Sequence, residues 1–290
     1  MQKKQLLLLP VLLLLAATVV IPVKAQRSEM GLSGGVAFYL GDLNPTKLFS
    51  QPNVSAGVFY RYNIDTRWAV RAGLTFGRIV ADDAKRDNPR NLNFRNDIFD
   101  FSVMVEVNFL TFFTSNAKYY RFSPYLTAGI AGFFMDPKGH IFDEDDGKTQ
   151  WVSLKPLSTE GQGLADGPKP YSLANGAFPF GFGFKVAISE RVSLGLEWTM
   201  RLAFTDYLDD VKGVYYDNNA ILVNVGERAA YFADPVAAEQ KHLAGQQRGD
   251  ANTIDWYSFA SVTLSIKLSS PEVSCPAYQQ NAASRLRKYR

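Results

Sequence analysis

Residues 254–268 read IDWYSFASVTLSIKL, and their even-numbered positions are mostly apolar while their odd-numbered positions are mostly polar. Successive side chains of a β-strand point to opposite faces, so this alternation predicts a strand with one apolar and one polar face. A helical period of 3.6 residues does not fit the segment. The apolar face must be covered by either a protein core or lipid.

The same alternation continues through residues 192–205, and six further segments have similar or weaker patterns. These six are Glu29–Leu40, Asn53–Tyr62, Arg67–Ile79, Asp97–Phe112, Phe122–Met135 and Phe178–Ser189. Most of the segments exceed the roughly five or six residues usual for a strand of a soluble protein. A tilted strand that crosses a bilayer needs about nine to eleven residues. Strand length therefore favours lipid over a soluble core.

The connections between these segments alternate between short and long. Short turns are predicted at 63–66, 113–121 and 190–191, and long connections at 41–52, 80–96, 136–177 and 206–253. Tight turns on one side and long loops on the other are typical of outer-membrane barrels. The sequence therefore predicts an all-β fold: a closed, internally packed, eight-stranded antiparallel transmembrane outer-membrane β-barrel over residues 26–269. A soluble β-sandwich is the alternative.

The first residues predict export from the cytoplasm. A short basic start at Lys3 and Lys4 precedes the apolar run Leu6–Val20, and Val23-Lys24-Ala25 has the small residues of a cleavage site. This is the pattern of a secretory signal peptide, predicted here at residues 1–25, with a transmembrane anchor as the alternative. Removal of this segment takes away three lysines, so the number of basic residues falls from 31 to 28 and equals the number of acidic residues. No nucleic-acid partner is expected.

The inward face of the predicted barrel carries charges of both signs. The side chains expected to form this interior charge network are Arg61, Arg71, Glu106, Lys185, Glu197 and Arg201. An eight-stranded barrel is only wide enough to be filled by its own side chains. Buried charges are tolerated when they are paired and hydrogen-bonded. We therefore expect a plugged polar interior, with a conducting pore as the alternative.

No motif of the chain indicates catalysis. The two histidines, His140 and His242, both fall in predicted outer loops, and His140 precedes an acidic run at 143–146. That run is not an EF-hand, because Gly147 comes one place too early and Leu154 occupies the last ligand position. We expect a solvated acidic loop, no cofactor, no metal site and no enzymatic activity.

The chain continues beyond the last predicted strand as a tail at residues 270–290. This tail contains Cys275, the chain's one cysteine, and the basic end 285-RLRKYR-290. An even number of strands leaves both chain ends in the periplasm, where an unpaired thiol is buried, capped or bonded to another protein. Basic blocks at a terminus often act as interaction arms. The tail is thus predicted to be a docking arm with an intermolecular disulfide at Cys275, or else an inert extension.

Two long segments resemble a known family. Residues 154–163 read LKPLSTEGQG and residues 204–211 read FTDYLDDV, and both resemble signatures of the PorG-like outer-membrane barrels of the type IX secretion system of Bacteroidetes. Residues 124–139 fit the same family. The resemblance implies a non-enzymatic barrel associated with the periplasmic ring of the PorK lipoprotein and PorN. It also implies a role in the export of cargo with C-terminal sorting domains.

The acidic residues of the two signatures, Glu160, Asp206, Asp209 and Asp210, have a physical interpretation as well. Carboxylates near a strand end accept hydrogen bonds from backbone N–H groups and order a loop. Three carboxylates could instead gather a divalent cation. At the level of function, a free-standing OmpA-like structural or adhesive barrel and a barrel hydrolase are the alternatives to the secretion role.

Overall fold

The computed structural model describes residues 28–86, 88–112, 122–143, 148–189 and 191–268. Ten strands are present in this part of the chain. They are β1 (Ser28–Leu40), β2 (Asn53–Asn63), β3 (Trp68–Asp82), β4 (Asn93–Asn108), β5 (Phe122–Phe134), β6 (Pro137–Asp143), β7 (Lys148–Ser153), β8 (Ala174–Ala187), β9 (Val192–Ala203) and β10 (Trp256–Lys267).

Eight of these strands form a closed barrel. Its ring order is β1, β2, β3, β4, β5, β8, β9, β10, and every neighbouring pair is antiparallel. β10 returns to β1, with Glu29 opposite Lys267 at one end and Leu40 opposite Trp256 at the other. Closure leaves no strand edge unpaired in the ring. The predicted eight-stranded antiparallel barrel is confirmed.

The two ends of the barrel differ, and we call them the turn end and the loop end. The turn end carries the first and last residues of the ring, where the backbone N–H of Leu268 donates to the carbonyl of Ser28 at 2.9 Å. It also carries the tight turn from β2 to β3, in which Ile64 N–H donates to the carbonyl of Trp68. The long connections that follow β1, β5 and β9 lie at the opposite, loop end.

Two predicted connections contain more regular structure than expected. The loop predicted at 80–96 is shorter, because β3 and β4 stay paired as far as Asp82 and Asn93. The connection 136–177 contains the β6–β7 hairpin, which joins β4 through only two residue pairs, at Arg95 and Asn96. Both additions lie above the lipid-facing part of the barrel, where no apolar face is required and the alternation fades.

The outer wall of the barrel is apolar on all eight strands. Exposed wall residues include Met30, Leu32, Val58, Leu74, Phe101, Val103, Leu126, Ile130, Phe182, Phe184, Leu194, Leu196, Val262, Leu264 and Ile266. A soluble monomer rarely exposes so large a contiguous apolar surface. The barrel strands are 11 to 16 residues long, enough to cross a bilayer. Lipid is therefore the solvent of this wall.

The interior is filled in two layers. Toward the turn end it is polar and charged, and the free space beside Arg71, Glu197 and Arg201 is only about 30 Å³. Gly31 makes room in this layer, since a Cβ there would lie 2.2 Å from the Phe59 ring. Toward the loop end the interior is apolar, and barrel and loop side chains form one buried cluster that includes Tyr39, Ile79, Phe94, Phe133, Leu208, Val211 and Phe232.

The last long connection contains two short helices, α1 (Asn218–Asn224) and α2 (Glu227–Ala233). The side chain of Asp217 accepts the N–H of Asn219 and caps the start of α1. Short 3₁₀ helices occur at Asp83–Arg86, Lys155–Leu157 and Ala238–Gln240. Within the described residues, every helix is too short or too polar to span a membrane.

A charge on the outer wall should destabilise the barrel, whereas the same charge on a loop should not. Leu196 lies on the outer face of β9 and Leu243 lies in the last long connection, and both are well exposed, at 60% and 72%. We expect Leu196→Arg to destabilise the folded barrel by about 2–4 kcal/mol, because arginine near the bilayer midplane is costly. Leu243→Arg should cost less than about 0.5 kcal/mol.

Urea-dependent folding into phosphatidylcholine vesicles, followed by tryptophan fluorescence, measures both costs. Equal costs for the two variants would mean that Leu196 does not face lipid.

Candidate functional site

The polar layer of the lumen is organised around Glu106 on β4. This carboxylate is fully buried and contacts three cations: Arg61 at 3.0 Å, Lys185 at 3.1 Å and Arg71 at 3.2 Å. Two more acids balance the charge. Arg61 donates to Glu29 at 3.0 Å, and Arg71 makes a two-pronged contact with Glu197 at 2.6 and 2.8 Å.

Every strand of the barrel contributes a side chain to this luminal network. In ring order these side chains are Glu29, Arg61, Arg71, Glu106, Tyr125, Lys185, Glu197 and Ser265. Tyr125 donates to Glu197 at 2.7 Å and Ser265 donates to Glu29 at 3.1 Å. The network therefore spans the lumen in all directions.

Of the six charged residues singled out in the sequence, the structure brings five together and places Arg201 elsewhere. Arg201 lies over the Phe259 ring at 4.3 Å and contacts Asp100 at 3.4 Å, and Tyr257 also donates to Asp100, at 2.9 Å. The sequence reasoning missed Glu29. Glu29 is the first residue of the predicted segment 29–40 and alternates with the outward-facing Met30 and Leu32, so the alternation itself places it on the inward face.

At the loop end, the long connections fold together into a compact unit that we call the cap, formed by residues 41–52, 154–173 and 204–255. The two signature segments meet inside it. Thr159 of the first donates to the carboxylate of Asp210 of the second, and Tyr171 donates to the same carboxylate at 2.6 Å. Burial raises the pKa of Asp210 to about 6, against the opposing charge of Arg248.

Glu160 holds a second buried contact between the segments. Its carboxylate accepts the backbone N–H of Lys212 at 2.9 Å and pairs with Arg248 at 3.1 Å. Gly161 follows with a φ of 73°, and a Cβ there would lie 2.4 Å from the Tyr216 ring. Glycine is therefore required at this position of the first signature.

Asp209 links the cap to the barrel. The phenol oxygen of Tyr39 on β1 lies 2.5 Å from a carboxylate oxygen of Asp209 and 2.9 Å from one of Asp255. Burial raises the pKa of both carboxyl groups well above the usual range, and the charge of Asp255 raises that of Asp209 further.

Asp206 is buried beside this group, and its Oδ2 atom has no hydrogen-bond partner in the described part of the protein. Burial, followed by the charge of Asp42, raises the pKa of Asp206 to about 7. The carboxylates of Asp206, Asp209 and Asp210 do not converge, because Asp209 and Asp210 turn to different partners. Over the described ranges, no three acidic, histidine or cysteine side chains form a metal-binding group.

The two histidines make packing contacts in the loop-end structure. His140 on β6 lies against the Trp151 ring with centroids 5.1 Å apart, and burial lowers its pKa. His242 stacks on Tyr215 at 4.2 Å, and its Nδ1 lies 3.0 Å from Asp234. The tail with Cys275, the segment 1–25 and the acidic residues 144–146 lie outside the described residues.

The sequence from residue 4 to residue 154 matches a family described as a domain of unknown function, DUF6089. The chain belongs to the DUF6089 family. The match covers the chain through β7 and ends where the first signature segment begins. Comparison with curated protein sequences gives no match for this DUF6089 protein.

Several solved outer-membrane proteins are similar to the DUF6089 chain. Neisserial surface protein A is 10% identical, with 83% of this chain and 96% of that chain covered and a TM-score of 0.41. A major outer membrane protein from Thermus thermophilus is 12% identical over 82% and 98% of the two chains, with a TM-score of 0.39. The attachment invasion locus protein Ail of Yersinia pestis is 10% identical over 83% and 98%, with a TM-score of 0.34. Because these identities and TM-scores are low, the assignment of a barrel fold rests on the strand pairing of this chain itself and not on the similar structures.

Removing the central carboxylate of the luminal network should leave three buried cations short of a partner. We expect Glu106→Gln to destabilise the barrel by about 3–5 kcal/mol, the usual cost of breaking a buried ion pair. The matched control is Asp97→Asn. It breaks the partly exposed Arg78–Asp97 pair toward the loop end of β3 and β4 and should cost at most about 1 kcal/mol.

Both variants can be measured by urea-dependent folding into vesicles, together with the heat-dependent shift in gel mobility of folded barrels. A loss for Glu106→Gln no larger than that of the control would mean that the network does not stabilise the ring.

The stability of the cap should fall as pH rises through the range in which Asp206 ionises. The native pKa is raised to about 7, so the native state holds this proton longer than the unfolded state, whose aspartate pKa is about 3.9. The stabilising contribution of protonated Asp206 is therefore complete below the unfolded pKa. It is lost as the pH rises from about 4 to about 7. Asp206→Asn should remove this dependence and stabilise the cap at pH 8 by on the order of 1 kcal/mol relative to the native chain.

Hydrogen–deuterium exchange of residues 204–216, corrected for intrinsic rates at each pH, measures this effect. Glu239→Gln, which changes an exposed acid elsewhere in the cap, is the control. The assignment fails if Asp206→Asn and the native chain keep the same pH profile.

Proposed function

We propose that this chain is a non-enzymatic outer-membrane component of the type IX protein secretion machinery. In this proposal it anchors or scaffolds a periplasmic ring of PorK and PorN and is needed for the export of cargo with C-terminal sorting domains. The observation that carries the proposal is the meeting of the two PorG-like signature segments. They are far apart in sequence, yet Thr159 and Glu160 of one bind Asp210 and the backbone after it in the other.

The filled lumen supports a scaffold more than a conduit. A free space of about 30 Å³ has room for one or two water molecules and none for a polypeptide. The charged side chains around Glu106 are bound to one another, which leaves them little capacity to bind a substrate. Cargo would therefore cross the membrane elsewhere, and this barrel would hold other parts in place.

The turn end is the natural attachment side in this proposal. Ser28 and Leu268 are hydrogen-bonded there, so the tail at 270–290 leaves the barrel from that end. With the signal peptide 1–25 removed and both termini in the periplasm, the basic tail and Cys275 would reach the periplasmic ring. An intermolecular disulfide at Cys275 is part of this proposal.

The alternative is a free-standing OmpA-like structural or adhesive barrel. The cap favours it in one respect, because Val223 on α1 and Leu243 point apolar side chains outward, 82% and 72% exposed. Such side chains suit contact with another surface.

Deletion of the gene separates the two functions. We expect the deletion strain to retain cargo with C-terminal sorting domains in the periplasm and to lose it from the cell surface, as measured by immunoblots of cell fractions. The full-length gene should restore surface cargo, and a surface protein exported by another route is the control. Intact secretion in the deletion strain would favour the free-standing barrel.

The attachment side is tested in the same strain. Affinity-tagged full-length protein should retain PorK and PorN after detergent extraction, whereas a chain that ends at Leu268 should lose them. Cys275→Ser should remove any higher-mass band from a non-reducing gel. Equal recovery of both ring proteins by the two chains would rule out the tail as the docking arm.

A further inference from the structure

A pocket of about 630 Å³ opens at the rim of the loop end, between the first and last long connections. Its volume falls in the range of about 300–1,000 Å³ that is typical of small-molecule sites. The lining is divided into two halves. One half is apolar and consists of Leu40, Pro45, Ile254 and Trp256, while the other half carries Asp42, Asp250, Arg90 and Arg248.

The two arginines of the pocket are already paired. Arg90 forms an ion pair with Asp83 at 3.1 Å and also donates to the backbone carbonyls of Arg248 and Asp42. Arg248 is buried and forms an ion pair with Glu160. Neither guanidinium is therefore left to neutralise an anion in the pocket.

The two aspartates of the pocket lack a cationic partner. The ion pairs of the two arginines within the described residues are to Asp83 and Glu160, and Arg90 acts on Asp42 only through its charge and through the Asp42 backbone carbonyl. Asp42 accepts the backbone N–H of Asp250 at 3.0 Å through one oxygen, and its Oδ2 atom is buried without a hydrogen-bond partner. Burial raises the pKa of Asp42, whereas the backbone N–H of Asp250 and the charge of Arg90 oppose this rise. The polar half thus contains one acceptor without a partner, Asp42 Oδ2, beside the carboxylate of Asp250.

The apolar half continues the lipid-facing wall. Leu40 and Trp256 form the last residue pair between β1 and β10, and Trp256 has the same outward orientation along its strand as Val262 and Leu264. Trp256 also packs edge-on against Phe180 with ring centroids 5.9 Å apart. Tryptophan is enriched where a membrane protein passes from lipid to water. In the proposed membrane location, we therefore expect the pocket at the level of the lipid headgroups.

We propose that this pocket binds the primary ammonium group of a membrane lipid. The ammonium would donate to Asp42 and Asp250, and an acyl chain of the same lipid would lie along Leu40 and Trp256. A phosphate alone would face two carboxylates and two occupied guanidinium groups. A bare divalent ion would leave the apolar half unused. The inference rests on the proposed membrane location but not on the role in secretion, so failure of one leaves the other standing.

Native mass spectrometry of the purified full chain in detergent, with one lipid added at a time, tests the proposal. We expect phosphatidylethanolamine to bind about tenfold more tightly than phosphatidylglycerol or phosphatidylcholine, the size of effect that one charged hydrogen bond gives. The double variant Asp42→Asn, Asp250→Asn should lose this preference, and Glu239→Gln should keep it. If the double variant does not fold, judged by its heat-dependent gel mobility, Asp250→Asn alone replaces it.

Free ethanolamine and calcium ions, each added as a competitor, identify the source of the cation. Displacement of the lipid by ethanolamine at the same concentration would support the ammonium site and assign it to a free amine. Equal binding of the three lipids, a double variant that keeps the preference, or displacement by calcium alone would each overturn the proposal.

Discussion

The closed ring of strands is organised around a buried set of charges that balance one another. Glu29, Glu106 and Glu197 face Arg61, Arg71 and Lys185 in the buried lumen. Burying a charge without a partner is costly, so each side chain must reach its partners when the barrel closes. Since all eight strands contribute, a slip of one strand by one residue would turn its polar side chain into lipid. The network thus constrains the register of the whole barrel.

The loop end is filled by a different kind of interaction. Apolar side chains of the cap, such as Leu208 and Val211, enter the same buried cluster as Tyr39 and Phe133 of the barrel. The carboxylates that accompany them accept hydrogen bonds from hydroxyl and backbone N–H groups, and Arg248 is the cation paired with Glu160. Charged side chains therefore fill the lumen toward the turn end, and the buried cluster of barrel and cap side chains fills it toward the loop end. The surfaces that remain for function are the outer faces of the cap, the rim and the turn end.

The strands could be predicted from sequence because lipid imposes a strict pattern on them. Along β9 and β10, each apolar residue that faces lipid is followed by one that faces the lumen, and eight such segments gave the strand number. The β6–β7 hairpin and the ends of β3 and β4 were missed because they stand clear of the lipid. There, polar residues such as Asp82 and Asn93 can occupy either face.

The partners inside the barrel and the cap could not be predicted in the same way. Arg71 and Glu197 pair across the lumen from strands far apart in sequence. The alternation along a strand shows which residues face the lumen, but it does not show which charged residues pair with each other. Residues that are adjacent in sequence can also have different roles, as the aspartates of the second signature segment show.

Asp209 and Asp210 are neighbours in the chain, yet they bind opposite parts of the molecule. Asp210 has a φ of 65°, in the left-handed region, which aspartate tolerates better than most residues. This bend directs the carboxylate of Asp209 to Tyr39 on the barrel and that of Asp210 to Thr159 in the first signature segment. One turn of the backbone therefore joins the barrel, the last connection and the first signature. The two signature segments form one structural element, and that element is anchored to the first strand of the barrel.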